Sequence, residues 1–136
     1  MKTTLKLTIL VLVTVLGISC NTKSQTKPDE KTTTISVISP TEFKEKSVNH
    51  KIIDVRTPEE FSEGHIEGAV NINFFDPTFL DQIAKYNKNE PLYIYCRSEN
   101  RSGKAAKKMT DLGFEQIYNL EGGLLNWMKN NNEIVK

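Results

Sequence analysis

Short apolar runs alternate with helix-start signals along residues 35–136 of this 136-residue chain. Leu92–Tyr95 is apolar at every position, which is typical of a strand buried on both faces of a parallel sheet. Four further runs have the length and composition of β-strands, namely Ile35–Ile38, Lys51–Val55, Ala69–Ile72 and Gln116–Leu120.

Helices are predicted in the intervals between these strands. Ser39-Pro40-Thr41-Glu42 and Thr57-Pro58-Glu59-Glu60 each combine a capping box with proline at the first helical position, and Asp76-Pro77 opens another helix. Two more helices are indicated by apolar positions at helical spacing, namely Ala105, Met109 and Leu112 before Gly113, and Leu124, Trp127 and Met128. This alternation predicts an α/β three-layer domain with a mainly parallel, five-stranded sheet flanked by helices.

The N-terminal region has a different composition. Residues 1–19 contain two basic residues near the start, Lys2 and Lys6, followed by a twelve-residue apolar stretch. This stretch is too short to span a bilayer as a helix. The pattern is typical of an export signal. Together with Cys20 these residues resemble the lipobox of bacterial lipoproteins, in which the cysteine becomes the acylated first residue. An ordinary signal peptide or an uncleaved anchor is the alternative. Residues 20–34 are almost wholly polar and predict a disordered tether.

Residues 35–136 are enough for one compact domain and too few for two. A lipid on Cys20 predicts a protein that is anchored to a membrane and faces the periplasm, with inner and outer membrane equally open. Lipidation also leaves Cys96 as the single free thiol, unable to form an internal disulfide in an oxidising compartment.

Charge and motif content exclude several classes of function. Without Lys2 and Lys6 the chain has 16 basic and 17 acidic side chains, so no overall field recruits nucleic acid. The sequence has no metal-spaced Cys/His cluster and no glycine-rich nucleotide fingerprint. We therefore expect neither a metal site nor a cofactor.

Cys96 is the candidate nucleophile. It directly follows the Leu92–Tyr95 strand, at the sheet edge where ligand sites of parallel sheets lie. Backbone N–H groups and a helix N-terminus converge there and favour the thiolate. The residues after it form a candidate anion- or persulfide-binding loop, namely Arg97, Ser98, Glu99, Asn100, Arg101 and Ser102.

Four segments in order resemble the successive motifs of a single-domain rhodanese. They are Asp54–Phe61, Gly64–Ala69, Cys96–Ser102, and Glu121–Gly123 with Trp127. The resemblance implies a five-stranded parallel sheet and a cysteine that carries sulfane sulfur as a persulfide. It predicts a sulfurtransferase that moves sulfur from thiosulfate or a persulfide, including a protein persulfide, to a thiol or cyanide, with no cofactor.

The loop residues have distinct expected roles. The N–H groups from Arg97 to Arg101 would hold the terminal sulfur anion as an oxyanion hole holds oxygen. Arg101 is expected to bond inward and to fix the shape of the loop, in a helix that starts near it. Arg97 either meets an anionic donor or is a solvated surface charge. Ser102 is expected to be a helix N-cap rather than a catalyst.

Glu99 departs from the glycine that many rhodaneses have at this point. Its charge is expected to bias the site away from the thiosulfate dianion and toward neutral or protein-borne donors, by less than about 1 kcal/mol if it is exposed. A side chain here also limits the backbone angles of the loop.

Three residues outside the loop are expected to support the site. Asp54 and Arg56 are predicted to form an ion pair that orients loops rather than to act in catalysis. His65 is predicted to be a hydrogen-bonded structural residue, with general base as the alternative.

Other functions remain open. Cysteine-dependent phosphatases and some arsenate reductases use a similar Cys-to-Arg loop that is one residue longer, and the shorter loop here suits a sulfur atom better than a phosphate. A rhodanese-like module of the cell envelope that binds a partner or senses sulfur without turnover is the stronger rival. Cys96 as an inert buried thiol is the third alternative.

Overall fold

The computed structural model describes residues 32–136, so the predicted signal segment, Cys20 and most of the tether lie outside the described residues. In the described part five strands alternate with five helices. The elements are β1 (Thr34–Ile38), α1 (Pro40–Lys46), β2 (Lys51–Asp54), α2 (Pro58–Glu63), β3 (Ala69–Asn71), α3 (Phe79–Ile83), β4 (Leu92–Tyr95), α4 (Asn100–Asp111), β5 (Gln116–Leu120) and α5 (Gly123–Lys129).

The strands form one parallel sheet in the order β1-β5-β4-β2-β3. Helices pack on both faces: residues of α3 and α4 join one buried apolar cluster, and residues of α1 and α5 join the other. All four residues of β4 are buried, as expected for a strand covered on both faces. The predicted α/β fold class is therefore confirmed.

The helix starts agree with local signals at two positions and differ at a third. Ser39 and Thr57 each form a full capping box with proline in the first turn. Helix α3 begins at Phe79 rather than directly after Asp76-Pro77. The reason is a turn in which Asp76 Oδ1 accepts hydrogen bonds from both the N–H and the hydroxyl of Thr78, each at 2.7 Å.

One predicted core position is wrong. Leu124 and Trp127 are buried, but Met128 is 40% exposed. Met128 lies one turn after Leu124 on α5, but its side chain lines a surface groove and does not join the buried cluster of Leu124 and Trp127. Within residues 32–136 no helix has the length and apolar composition needed to cross a bilayer.

Candidate functional site

Cys96 lies at the carboxyl end of β4, the central strand, between the ends of β5 and β2. The residue is 1% exposed, and its Sγ lies 3.5 Å from Ser102 Oγ. Helix α4 begins at Asn100, only four residues later. The thiol is thus enclosed between the carboxyl-terminal end of the sheet and the first turn of α4.

Five consecutive N–H groups follow the thiol. No described residue accepts a hydrogen bond from the backbone N–H groups of Arg97 to Arg101. They belong to the loop and to the first turn of α4, where the N–H groups of a helix have no intrahelical acceptor. Such a run of free donors is suited to bind an anion.

Ser102 is not the N-cap of α4, so that expectation is wrong. The helix starts one turn earlier, with Glu99 as the N-cap, and Ser102 lies wholly buried in the first turn. Its Oγ lies 3.1 Å from the Glu99 carbonyl oxygen as well as 3.5 Å from Cys96 Sγ. A hydroxyl has one proton, so it donates to the carbonyl or to a thiolate, but not to both fully.

Glu99 has left-handed backbone angles, with φ 80°. For a residue with a side chain this conformation costs about 1–2 kcal/mol, so contacts must offset it. The carboxylate provides one, because its Oε2 accepts a hydrogen bond of 2.8 Å from the N–H of Gly122, the N-cap of α5. The Glu99 carboxylate of the loop is thus bonded to the start of α5.

The first turn of α5 also holds the loop through the backbone. The N–H groups of Leu124 and Leu125 donate to the carbonyl oxygens of Cys96 and Arg97, at 2.9 and 3.1 Å. Gly123 permits this approach, because a Cβ atom there would lie 2.5 Å from the Cys96 oxygen. Sequence reasoning singled out this glycine pair as a motif and missed its contact with the loop.

Arg101 bonds inward, as the sequence predicted, and its partner is Glu60 of α2. The two guanidinium nitrogens donate to the two carboxylate oxygens at 2.6 and 2.7 Å. The hydrogen bonds from Arg101 lower the pKa of Glu60 to about 2, although burial opposes the shift. Glu60 was visible in the sequence only as the capping-box residue of α2, a role that it also has, since Thr57 N–H donates to it.

Asp54 and Arg56 form the predicted ion pair. Arg56 Nη2 donates to Asp54 Oδ2 at 2.6 Å and to the Gly64 carbonyl at 2.7 Å, and both charged side chains are buried. Burial disfavours the charge of Arg56, but the hydrogen bonds to Asp54 and the negative charges around Arg56, that of Asp54 first, together outweigh it and raise its pKa. The pair connects the end of β2 with the residue that follows α2.

His65 packs against α2. Its Nδ1 donates to the Phe61 carbonyl oxygen at 3.1 Å, and its ring stacks on the Phe61 ring at 3.7 Å. A carbonyl only accepts, so this contact requires the proton on Nδ1. The structure thus gives His65 the hydrogen-bonded position that the structural interpretation predicts.

Arg97 is the one arginine that pairs with no carboxylate among residues 32–136. It is exposed, as are Ser98 and Asn100. Arg97 lines a groove of about 260 Å³ beside the loop. The other groove residues are Arg56, Glu60, Glu63, Gly64, Leu124, Leu125, Met128 and Ile134.

A family model and several known relatives match this chain. Residues 39–130 match the family model described as Rhodanese-like domain. The chain is 43% identical over 91 residues to the uncharacterized protein YqhL of Bacillus subtilis, covering 63% of this chain and 67% of that one. It is 35% identical over 91 residues to thiosulfate sulfurtransferase 16, chloroplastic, of Arabidopsis thaliana, covering 60% and 76%. The solved rhodanese-like domain protein of Staphylococcus aureus superposes with a TM-score of 0.60 at 35% identity, covering 68% and 90%.

Proposed function

Because the chain belongs to the rhodanese-like domain family, we propose that it is a sulfurtransferase that carries sulfur on Cys96. The Cys96 thiolate attacks the outer sulfur of thiosulfate or a persulfide, the donor S–S bond breaks, and sulfite or a thiolate leaves with the electron pair. A thiolate or cyanide then attacks the outer sulfur of the Cys96 persulfide. The acceptor leaves as a persulfide or thiocyanate, and the Cys96 thiolate is restored.

One observation carries the proposal: the N–H groups of Arg97 to Arg101 have no acceptor among the described residues. The loop that presents them is held from outside, by Glu60 on one side and by the first turn of α5 on the other. A preformed set of donors binds a developing anion without first having to reorganise. The terminal sulfur of a Cys96 persulfide is such an anion.

Two features support thiosulfate as a donor. The loop residue Arg97 offers a guanidinium that pairs with no carboxylate in the described part of the chain, and one relative with 35% identity is named a thiosulfate sulfurtransferase. Because Cys96 is 1% exposed, the donor must present its sulfur atom end-on.

A module that binds a partner or senses sulfur without turnover is the second candidate, and the burial of Cys96 favours it. The phosphatase interpretation has less support. Both terminal nitrogens of Arg101 already bond the Glu60 carboxylate, so this guanidinium could bind a phosphate only after losing that pair.

Intact mass spectrometry tests the cycle on the chain from residue 20 with Cys20→Ser. Incubation with thiosulfate or a small persulfide should add about 32 Da at Cys96, and a thiol or cyanide should remove it. Cys96→Ser should keep the fold and gain no mass. An unmodified Cys96 that still reacts with iodoacetamide would favour the binding module, and one that does not react would indicate an inert core thiol.

We also propose that the protein is lipid-anchored at Cys20 and faces the periplasm. The support is the sequence pattern of residues 1–20. Expressed in a bacterium, the full chain should sediment with membranes and the Cys20→Ala variant should not. Equal membrane retention of both would contradict lipidation and favour an uncleaved anchor.

A further inference from the structure

We infer that Glu99 is a positioning residue: its carboxylate ties the Cys96 loop to the start of α5 and thereby maintains the shape of the N–H cradle. This role differs from the effect expected from its charge alone, which is to repel anionic donors. The catalytic part of the inference rests on the proposed function. The structural part does not.

The side chain of Glu99 joins two helix starts. Glu99 is the N-cap of α4 and Gly122 is the N-cap of α5, and the hydrogen bond of 2.8 Å between them links positions 23 residues apart. The other two ties between the loop and α5 are made by backbone carbonyls. Among residues 32–136, Glu99 therefore provides the one tie of this set that a substitution can remove without changing the backbone.

The backbone of Glu99 contacts residues of α4. Its carbonyl oxygen accepts hydrogen bonds from the Gly103 N–H at 2.8 Å and from Ser102 Oγ at 3.1 Å. Ser102 Oγ is also the hydroxyl next to Cys96 Sγ. A rotation of the Glu99 backbone would thus move the Ser102 hydroxyl relative to the sulfur.

The left-handed backbone of Glu99 makes the tie necessary. A residue with a side chain disfavours φ 80°, so the loop would relax toward other angles if nothing held it. The Gly122 N–H holds the end of the side chain and opposes this relaxation. The carboxylate cannot turn toward a donor without leaving that N–H unpaired.

Three neutral substitutions separate positioning from charge. Glu99→Gln keeps an acceptor oxygen for the Gly122 N–H. Glu99→Gly loses this hydrogen bond, but glycine adopts the left-handed backbone angles without strain. Glu99→Ala loses the hydrogen bond and keeps the strain of a side chain at φ 80°. If the charge repels donors, all three should lower KM for thiosulfate alike. If Glu99 positions the loop, kcat should fall in the order Gln, Gly, Ala while KM changes little.

We expect kcat within about threefold of wild type for Gln, about tenfold lower for Gly, and about 30-fold lower for Ala, as for loss of a hydrogen bond to a charged group. Glu121→Gln removes a charge from an exposed neighbour of Gly122 and should leave kcat and KM unchanged. Equal kcat in the three Glu99 variants, or a common fall in KM, would overturn the inference.

Hydrogen exchange provides a readout that does not need sulfur transfer. The Gly122 amide should exchange at the wild-type rate in the Gln variant and at least about tenfold faster in the Gly and Ala variants. If wild type transfers no sulfur but this ranking holds, the proposed function fails and the positioning role stands. Equal exchange in all four proteins would overturn the positioning role, whatever the activity.

Discussion

Four helices of this domain, α1, α2, α4 and α5, begin in two different ways. Helices α1 and α2 begin with a serine or threonine whose side chain accepts from the third helical residue, and the glutamate there bonds back to the cap. Helices α4 and α5 follow N-cap residues with left-handed backbones, Glu99 and Gly122, which make no capping side-chain bond. In the first pair, α1 lies away from the thiol and α2 supports the Cys96 loop through Glu60. In the second pair, the starts of α4 and α5 both lie next to the thiol.

This difference decides which backbone N–H groups of the first helical turns are available to bind other parts of the molecule. A capping box uses helix N–H groups within a few residues of the chain. At α5 the corresponding N–H groups bond the Cys96 loop, and at α4 those of Asn100 and Arg101 have no acceptor among residues 32–136. Local capping thus stabilises a helix, whereas uncapped starts leave donors for a neighbouring loop or an anion.

Breaking the approach of α5 to the loop should have the largest effect. Gly123→Ala adds a Cβ atom 2.5 Å from the Cys96 oxygen at a residue with φ 60°. We expect about 3–4 kcal/mol lower free energy of unfolding, from steric overlap and backbone strain together, and loss of transfer. Urea denaturation and a sulfur-transfer assay measure both.

Gly68→Ala is the matched control for that change. Gly68 has φ 79°, yet an added Cβ atom would meet nothing within 4 Å. Only the backbone term remains, so a loss of about 1 kcal/mol with unchanged transfer is expected. Equal losses in both variants would mean that the contact with Cys96 does not matter.

Removing the charge of Glu60 should have an intermediate effect that depends on pH. The folded pKa of Glu60 is about 2, below its ordinary value of 4.5, so the pair with Arg101 stabilises the fold fully above pH 4.5 and loses its effect as pH falls toward 2. Both side chains are partly exposed, which limits the contribution to about 1–2 kcal/mol.

Glu60→Gln keeps the capping oxygen and removes the charge. The stability difference between wild type and this variant, measured by urea denaturation, should shrink between pH 6 and pH 3. A difference that stays constant over this range would show that the pair adds no charge-dependent stability.

The capping boxes should give the smallest effect and the clearest contrast in function. Ser39→Ala and Thr57→Ala each remove one cap and should each cost about 1 kcal/mol in thermal or urea unfolding. The Thr57 hydroxyl oxygen also accepts a hydrogen bond from the N–H of Glu60, the partner of Arg101, so only Thr57→Ala should slow sulfur transfer. A similar change in transfer rate for both would indicate a global effect.

The local features of the chain were predictable from its sequence. The strands, the starts of α1 and α2 and the position of Cys96 behind β4 depend on residues a few positions apart. Errors occurred where a neighbouring turn or a distant partner decided the outcome. Asp76 delays α3 by a turn, and α4 begins after Glu99, whose carboxylate bonds the distant Gly122, rather than after Ser102.

The sequence by itself determined an α/β domain with a mainly parallel sheet and a cysteine directly behind a buried strand, since hydrophobic period and capping are local properties. Only the tertiary structure decided what surrounds that thiol. The strand order places β5 and β2 on either side of β4, so α5 and α2 start beside the Cys96 loop. Glu99 meets Gly122 and Arg101 meets Glu60 across 23 and 41 residues, pairings that depend on the sheet order rather than on spacing along the chain.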